Sequence, residues 1–395
     1  MSGGVLTQRR RGAESGVATR ALLDGRFERI SCAQRKPLWS VTIWDKKFNS
    51  VATGKQTTAI KYHYLLAGDL KEKIVPGGNV KLLTTSETDW WTTEDKVAGL
   101  VSEGEIVSIP WGGNPNVQYF KGRFVTADNR IATSSDKTVL DNKFLYYFML
   151  AKRNTIGSFY RGAGLKHPEM SKVLDMEIPL PNIEAQRAFV RCMDNVSKVI
   201  AARKMQLDSL SQLVKSRFVE MFGDDSISIG RWDDVFIATT GKLDSNVAKE
   251  DGQYPFFTCA KTPLKIDQYA FDCEALLLAG NNAAGVYDVK HYKGKFNAYQ
   301  RTYVLRLTDD RWEYAVFKAQ LESKLAKLQA DSKGTMTKYL TLGILKKLDF
   351  IVPPLALQRE FAAFVEKVDK LAFAARRRRD VARQLYRAKI QEFFG

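Results

Sequence analysis

One segment of this chain occurs twice at a fixed distance, and that repeat constrains the fold more than any other feature. IPLPNIEAQRAF at residues 178–189 returns as FIVPPLALQREF at residues 350–361, so that Gln186 and Gln358 stand 172 positions apart. The MFG that ends in Gly223 and the FFG that ends in Gly395 keep the same offset. A chain that repeats one unit folds as two related bodies and suits a target with two related halves.

The repeat extends upstream of the motif. KGRF at residues 121–124 matches KGKF at 293–296, and Gly162 matches Gly334, all at the same offset. Nearer the start of each copy, WDKKFNSVATGK at 44–55 faces WDDVFIATTGK at 232–242, but the offset there is larger, which places an insertion in the first copy between Lys55 and Lys121. Each copy reads as a variable globular part followed by a long helix. The expected domains are a tail at 1–36, a globular domain at 37–178, a helix at 179–223, a second globular domain at 224–350 and a second helix at 351–395.

The helical segments carry a seam. After Pro181, with Asn182 as the cap, apolar residues fall at Phe189, Met193, Val196, Ile200, Leu207, Leu210, Val214 and Met221, interrupted at Arg203 and Arg217. The second copy gives Phe361, Val365, Val368, Ala372, Ala375, Ala382, Tyr386 and Phe393, interrupted at Arg379 and Lys389. This alternating spacing of four and three is that of a coiled coil. Helices of such length are too long to be buried in one small domain, and they pack most economically on each other. Antiparallel packing gives the chain a pseudo-twofold axis. The fold class expected is therefore α+β, with two α/β domains in tandem and two long antiparallel coiled-coil helices. A helical hairpin that serves only to join two protein chains fits the seam equally.

The charge points to a polyanion. The 395 residues carry 61 Lys and Arg against 44 Asp and Glu, a net charge of +17. Basic side chains that neutralise phosphates release counterions, so nucleic acid is the simplest partner, with a generic basic surface as the plainer alternative. Four cysteines, at 32, 192, 259 and 273, form no CxxC pair and read as reduced intracellular thiols. No apolar run is long enough for a membrane span, and the arginine-bearing start lacks an apolar signal core, so a cytoplasmic location is expected.

The proline-ended strand, the Gln-Arg helix start and the long helix closing on EMFGD at 220–224 together resemble the central conserved region of type I restriction-modification specificity (S) subunits. Residues 350–395 resemble the distal copy of that region, and the WD…TGK, YPFFT (254–258) and KGRF or KGKF segments fall where that family has its target recognition domains. The resemblance implies a non-catalytic DNA-specificity subunit whose two target recognition domains each read half of a bipartite site in double-stranded DNA. It implies that the helices set the gap and dock two methyltransferase (M) subunits, with Phe189, Val196, Phe361 and Val368 as docking positions. Restriction (R) subunits join in systems that cleave. S-adenosylmethionine, ATP and Mg would then sit on partner subunits, with no cofactor or metal in this chain. Two departures stand out: Glu184 is replaced by Ala356 in the second copy, and Arg376, Arg377, Arg378 and Arg379 form a basic run in the second helix.

Enzymatic motifs are weak. Asn114-Pro115-Asn116-Val117 lacks the second proline and the aromatic of an adenine methyltransferase loop, and no GxxxxGK[ST] phosphate loop is present. His63, His167 and His291 are scattered in sequence. A nuclease-like set can be drawn from Asp310, Glu322 and Lys324, which leaves a stand-alone DNA nuclease as one alternative; a coiled-coil adaptor that binds only protein is the other.

Candidate DNA contacts are polar and basic residues beside glycines, where backbone can approach a groove. The first copy offers Asn114, Lys121, Arg123, Arg130, Arg161 and Lys166, and the second Asn281, Asn282, Lys293, Lys295, Gln300, Arg301, Lys333 and Lys338. Lys333 and Lys338 match Arg161 and Lys166 around the paired glycines. Asn281, Asn282 and Gln300 have amides suited to adenine edges. Trp90 and Trp91 have no counterpart in the second copy and are expected in a core or partner contact rather than on a base.

Overall fold

The computed structural model describes residues 34–45, 62–65, 69–86, 88–223, 227–282, 285–334 and 337–395. Residues 1–33 of the expected tail and residues 46–55 of the first WD…TGK segment lie outside the described residues. Contacts divide the chain into two compact units, residues 1–201 with 380–395 and residues 202–379.

In unit 1 the strands are β1 (Gln34–Pro37), β2 (Thr42–Trp44), β3 (Val80–Leu83), β4 (Trp90–Thr92), β5 (Ser102–Pro110), β6 (Gln118–Thr126), β7 (Asn129–Ser134), β8 (Tyr160–Arg161), β9 (His167–Pro168) and β10 (Glu177–Leu180). Helix α1 (Asn142–Ala151) follows β7, and the 40-residue α2 (Ile183–Phe222) follows β10. Strand β1 starts inside the segment read as a tail and pairs antiparallel with β10. Six strands form one sheet in the order β2-β7-β5-β6-β3-β4. All its pairings are antiparallel except β3 with β6.

The sheet is buried on both faces, and the sequence of β5 states why. Val107 and Ile109 point to one side, where they pack with Phe144 and Phe148 of α1. Ile106 points to the other, with Tyr62, Leu83, Phe124 and Ile131. Period-two alternation between two apolar clusters gives a continuous apolar strand rather than an alternating one. Asp141 starts α1, its Oδ1 accepting from the backbone N–H groups of Lys143 and Phe144 at 2.9 and 3.0 Å.

In unit 2 the strands are β11 (Ile229–Arg231), β12 (Phe236–Thr240), β13 (Tyr254–Phe257), β14 (Leu264–Ile266), β15 (Phe271–Ala279), β16 (Asn281–Asn282), β17 (Val289–Ala298), β18 (Thr302–Leu307), β19 (Lys338–Tyr339) and β20 (Asp349–Ile351), with α3 (Tyr314–Ser323) and the 40-residue α4 (Leu355–Phe394). The sheet order β12-β18-β15-β17-β13-β14 repeats that of unit 1 strand for strand, including the one parallel pair. Leu276 and Leu278 of β15 face one cluster and Ala275 and Leu277 the other.

The strand pairings correct one alignment. Trp44 lies on β2, opposite Ala132, whereas Trp232 opens a short helix before β12. The residue of β12 that holds the place of Trp44 is Ala238, opposite Leu305. The matching WD letters misled because Trp232 holds the place of Leu38, each opening the short helix before the first strand of its sheet. The extra residues of the first copy fall between β2 and β3. Trp90 and Trp91 occupy β4, whose counterpart β14 carries Leu264 and Lys265, so the strand is shared although the tryptophans are not.

Each unit contains one helix start packed on the other helix's end. In unit 1, Phe189 near the start of α2 meets Phe393 near the end of α4, ring centroids 4.1 Å apart, with Phe394 and Phe144 beside them. In unit 2, Phe218 and Phe222 near the end of α2 meet Phe361 near the start of α4 at 5.5 Å each. The two segments therefore run antiparallel within each unit. Arg217, one of the seam interruptions, pairs with Glu360 of α4 at 2.6 Å.

The repeated glutamine explains itself here. Gln186 is fully buried; its Oε1 accepts from the N–H of Asp141, and its Nε2 donates to the carbonyls of Val139 and Pro181. Gln358, equally buried, accepts from the N–H of Glu313 and donates to the carbonyl of Pro353. The motif thus ties each long helix to the loop before α1 or α3. Asn182 caps α2 as expected, its Oδ1 accepting from the N–H of Ala185 at 2.9 Å.

Candidate nucleic-acid interface

Two segments of unit 1 meet where β5 ends. Trp111, the first residue past β5, donates its N–H to the carbonyl of Asp128 at 2.7 Å, and Asp128 takes the left-handed conformation (φ 45°) to present it. The Trp111 carbonyl is 2.7 Å from Nδ1 of His167 on β9. A carbonyl only accepts, so that ring nitrogen carries the proton. The Trp111 and His167 rings lie 4.9 Å apart, and Tyr160 of β8 donates its hydroxyl to the carbonyl of Pro110 at 2.6 Å. Gly112 packs on Leu165, close enough that a Cβ there would sit 3.2 Å from its side chain. The loop with exposed Gly113 and Asn114 therefore borders the β8–β9 hairpin, whose exposed tip carries Arg161 and Lys166. Gly162 has φ 138°, and its Cβ would strike the Leu165 carbonyl at 2.6 Å. That turn requires glycine.

Unit 2 builds the same junction. Gly280 follows β15 and donates to the carbonyl of Arg301 at 2.7 Å; Asn281 and Asn282 pair with Tyr339 and Lys338. Lys333 and Tyr339 exchange both backbone hydrogen bonds across the turn at Gly334, φ 102°. Lys333 is exposed and Lys338 half-buried, and Arg301 is exposed at the base of the junction. Asn281 accepts from the Cys259 thiol. Gln300, also exposed, donates to Asp244 at 3.2 Å.

The structure thus gathers Asn114, Arg161 and Lys166 in unit 1, and Asn281, Asn282, Arg301, Lys333 and Lys338 in unit 2. Other candidates sit along strands instead. Lys121 and Arg123 on β6 stand opposite Glu105 and Glu103, with Arg123 ion-paired to Glu94. Lys293 pairs with Glu274 at 2.9 Å, and the Lys295 ammonium lies 4.6 Å from the Tyr269 ring. The charges of Lys121, Arg123 and Lys293 are thus offset by neighbouring carboxylates.

Arg130 is a correction. It is 1% exposed and bonded to the fully buried Asp45 at 3.0 Å, with its guanidinium 4.5 Å from the Trp111 ring, so no groove can reach it. The four positions assigned to partner docking are a second correction. Phe189, Val196, Phe361 and Val368 are all at most 5% exposed, held by the chain's own packing. Exposed apolar side chains on the helices are Val199, Met205, Leu213 and Val219 on α2 and Leu371, Phe373 and Val381 on α4.

Sequence reasoning missed Asp45, His167 and Tyr303 as parts of these junctions. A basic residue in a buried strand run, as in NRIATS of β7, was the available sign that Arg130 has an acidic partner. Also missed was a groove of about 400 Å³ lined by Lys81, Trp91, Asn116, Gln118, Tyr119 and Tyr146. Trp90 packs against the core beneath β3. Of the nuclease-like residues, Glu322 pairs with Lys318 at 2.6 Å, and the Lys324 ammonium lies over the Phe350 ring.

Comparison with known proteins decides the family. The family described as type I restriction modification DNA specificity domain matches twice, at residues 34–212 and 227–381, well over half of the chain. The chain belongs to this family. A segment of 133 residues, 34% of the chain, is 41% identical to the type I restriction enzyme EcoDI specificity subunit of Escherichia coli. Another of 124 residues, 31% of the chain, is 21% identical to the MjaVIII specificity subunit of Methanocaldococcus jannaschii. These matches span 28% and 29% of the two relatives' lengths. The fold is that of the type I restriction-modification S subunit from M. genitalium, with a TM-score of 0.64 over 95% of this chain and 98% of that one, at 15% identity. The specificity-domain family thus accounts for both units and for the helix between their sheets.

Proposed function

We propose that this chain is the sequence-specificity subunit of a type I restriction-modification complex, reading a bipartite site in double-stranded DNA with one junction per unit. The observation that carries the reading is the double occurrence of one recognition fold: the same six-strand order, the same glycine-turned basic hairpin beside the end of the central strand, and the same glutamine-tied 40-residue helix. Basic hairpin tips suit phosphates, while the adjoining Asn114, Asn281 and Asn282 suit base edges. Different residues at the two junctions imply two different half-site words.

The reading assigns chemistry to partners. Methyltransferase subunits, two by the symmetry of the repeat, would carry S-adenosylmethionine and methylate adenines. Restriction subunits would bring ATP and Mg. The exposed apolar residues of the helices, Met205, Val219 and Phe373 foremost, are the surface offered to those partners, in place of the buried seam positions. No described helix is long and apolar enough to cross a membrane, which accords with a cytoplasmic complex.

Mapping methylated adenines in DNA from cells that express the chain with its methyltransferase partner tests the reading. The expected outcome is one asymmetric motif of two short words around a fixed unread gap. Methylation at a continuous word, or none that depends on this chain, would overturn it.

A further inference from the structure

The buried arginine that reaches no groove has a use. Asp45 receives three hydrogen bonds, from Arg130 Nη1 at 3.0 Å, the Ile131 N–H at 3.0 Å and the Tyr64 hydroxyl at 2.7 Å. Arg130, held by that carboxylate, lays its guanidinium 4.5 Å from the Trp111 ring, and Trp111 in turn holds His167 of the hairpin by a ring contact and a backbone hydrogen bond. The series runs from the buried Asp45, just past β2, to the exposed loop and hairpin. A buried ion pair contributes little net stability, since desolvation offsets the attraction, but it fixes one geometry.

Unit 2 braces the same junction by other means. The backbone bonds of Trp111 to Asp128 and of Gly280 to Arg301 identify Gly280 as the residue in the place of Trp111. Strand pairing puts Tyr303 in the place of Arg130, opposite Leu278 as Arg130 is opposite Ile109, and puts Thr239 in the place of Asp45. A Cβ on Gly280 would meet the Arg301 carbonyl at 2.5 Å and the Tyr303 ring at 3.0 Å, so no side chain fits. Tyr303 instead donates its hydroxyl to the carbonyl of Leu340, just past the hairpin, at 3.1 Å.

We propose that Asp45, Arg130, Trp111 and His167 form a positioning stack, peculiar to unit 1, that sets the reading loop at Gly112–Asn114 and so determines the first half-site word without touching DNA. The inference deepens the proposed function and rests on it. The Trp111 ring has the Arg130 guanidinium 4.5 Å away and the His167 ring 4.9 Å away. Its backbone is what matters: it fixes where Gly113, in the left-handed conformation at φ 87°, delivers Asn114.

The test uses the full chain in complex with its methyltransferase partner and duplexes altered one base at a time in either half-site. Trp111→Leu removes the ring face, Trp111→Phe keeps one, and Arg130→Lys keeps the charge while losing the planar guanidinium. Trp111→Leu and Arg130→Lys are expected to lower discrimination at the first half-site about tenfold, the scale of one lost base contact, and to leave the second unchanged. Trp111→Phe is expected to restore most of it. The slope of binding against salt stays as in the wild type, because no phosphate contact is lost. A slope reduced by about one in Arg130→Lys would make Arg130 a phosphate contact and overturn the proposal. Equal loss at both half-sites, or unchanged discrimination in Trp111→Leu, would overturn it as well; Trp111 is half-exposed, so that variant stands if Arg130→Lys fails to fold. A wild-type complex that reads no bipartite site defeats the parent reading before any variant is made.

Discussion

Gln186 and Gln358 show what a repeated letter in a sequence conceals. Their recurrence is visible in the chain, but their work is done on Asp141, Val139 and Glu313, about 45 residues upstream, and no local pattern reveals it. Replacing Gln186 with Leu leaves one N–H and two carbonyls without that partner. We expect a loss of about 2 kcal/mol or more, measured by urea denaturation, and a similar loss for Gln358→Leu. Arg130 teaches the converse. Its place beside a loop made it resemble a DNA contact, yet the side chain alternates inward along β7 and meets Asp45, across a distance in sequence that periodicity does not span. The glycine turns that carry Arg161, Lys166 and Lys333 were legible because a positive φ leaves a mark in the sequence.

Among elements, the seams of α2 and α4 were legible because helical spacing is local, whereas the sheets were not. Short strands separated by long connections carry weak signals, and the order of six strands depends on pairings between distant segments. Those pairings also create paired electrostatic clusters. Glu105 on β5 accepts from Tyr119 at 2.8 Å and Lys137 at 3.2 Å, and Glu274 on β15 from Lys293 and His291 at 2.9 Å each. Burial alone would raise the Glu105 carboxyl, but the hydrogen bonds from Tyr119 and Lys137 outweigh it and hold it below its ordinary 4.5. A carboxyl depressed by folding stabilises the native state above its unfolded value and loses that contribution as the pH falls through the folded value. Stability of the wild type should therefore drop below about pH 4.5, and Glu105→Gln should drop less between pH 7 and pH 3.5. Urea midpoints at the two pH values give the comparison; parallel falls would remove Glu105 from the account.

For the whole molecule, two copies of a reading domain and two helices of equal length were predictable from one offset. Which residues face DNA was not, since that depends on how loops from separate strands converge. Under the proposed function the helices set the unread gap. Inserting one heptad into both α2 and α4 adds about 10 Å at 1.5 Å per residue, about three base pairs at 3.4 Å each. The methylated motif should keep both words and widen its gap accordingly; an unchanged gap would separate helix length from spacing.

The split of unit 1 along the chain has a bearing on how the protein is made. Phe393 and Phe394 belong to the same apolar cluster as Phe144 and Phe189, and residues 380–395 are part of the first compact unit. On the ribosome these two rings follow Phe189 by about 200 residues, roughly 10 to 40 seconds at ordinary rates of synthesis. Throughout that interval Phe144 and Phe189 lack the two rings that pack on them in the folded unit. The first compact unit therefore closes its aromatic cluster only after the whole of the second has been made.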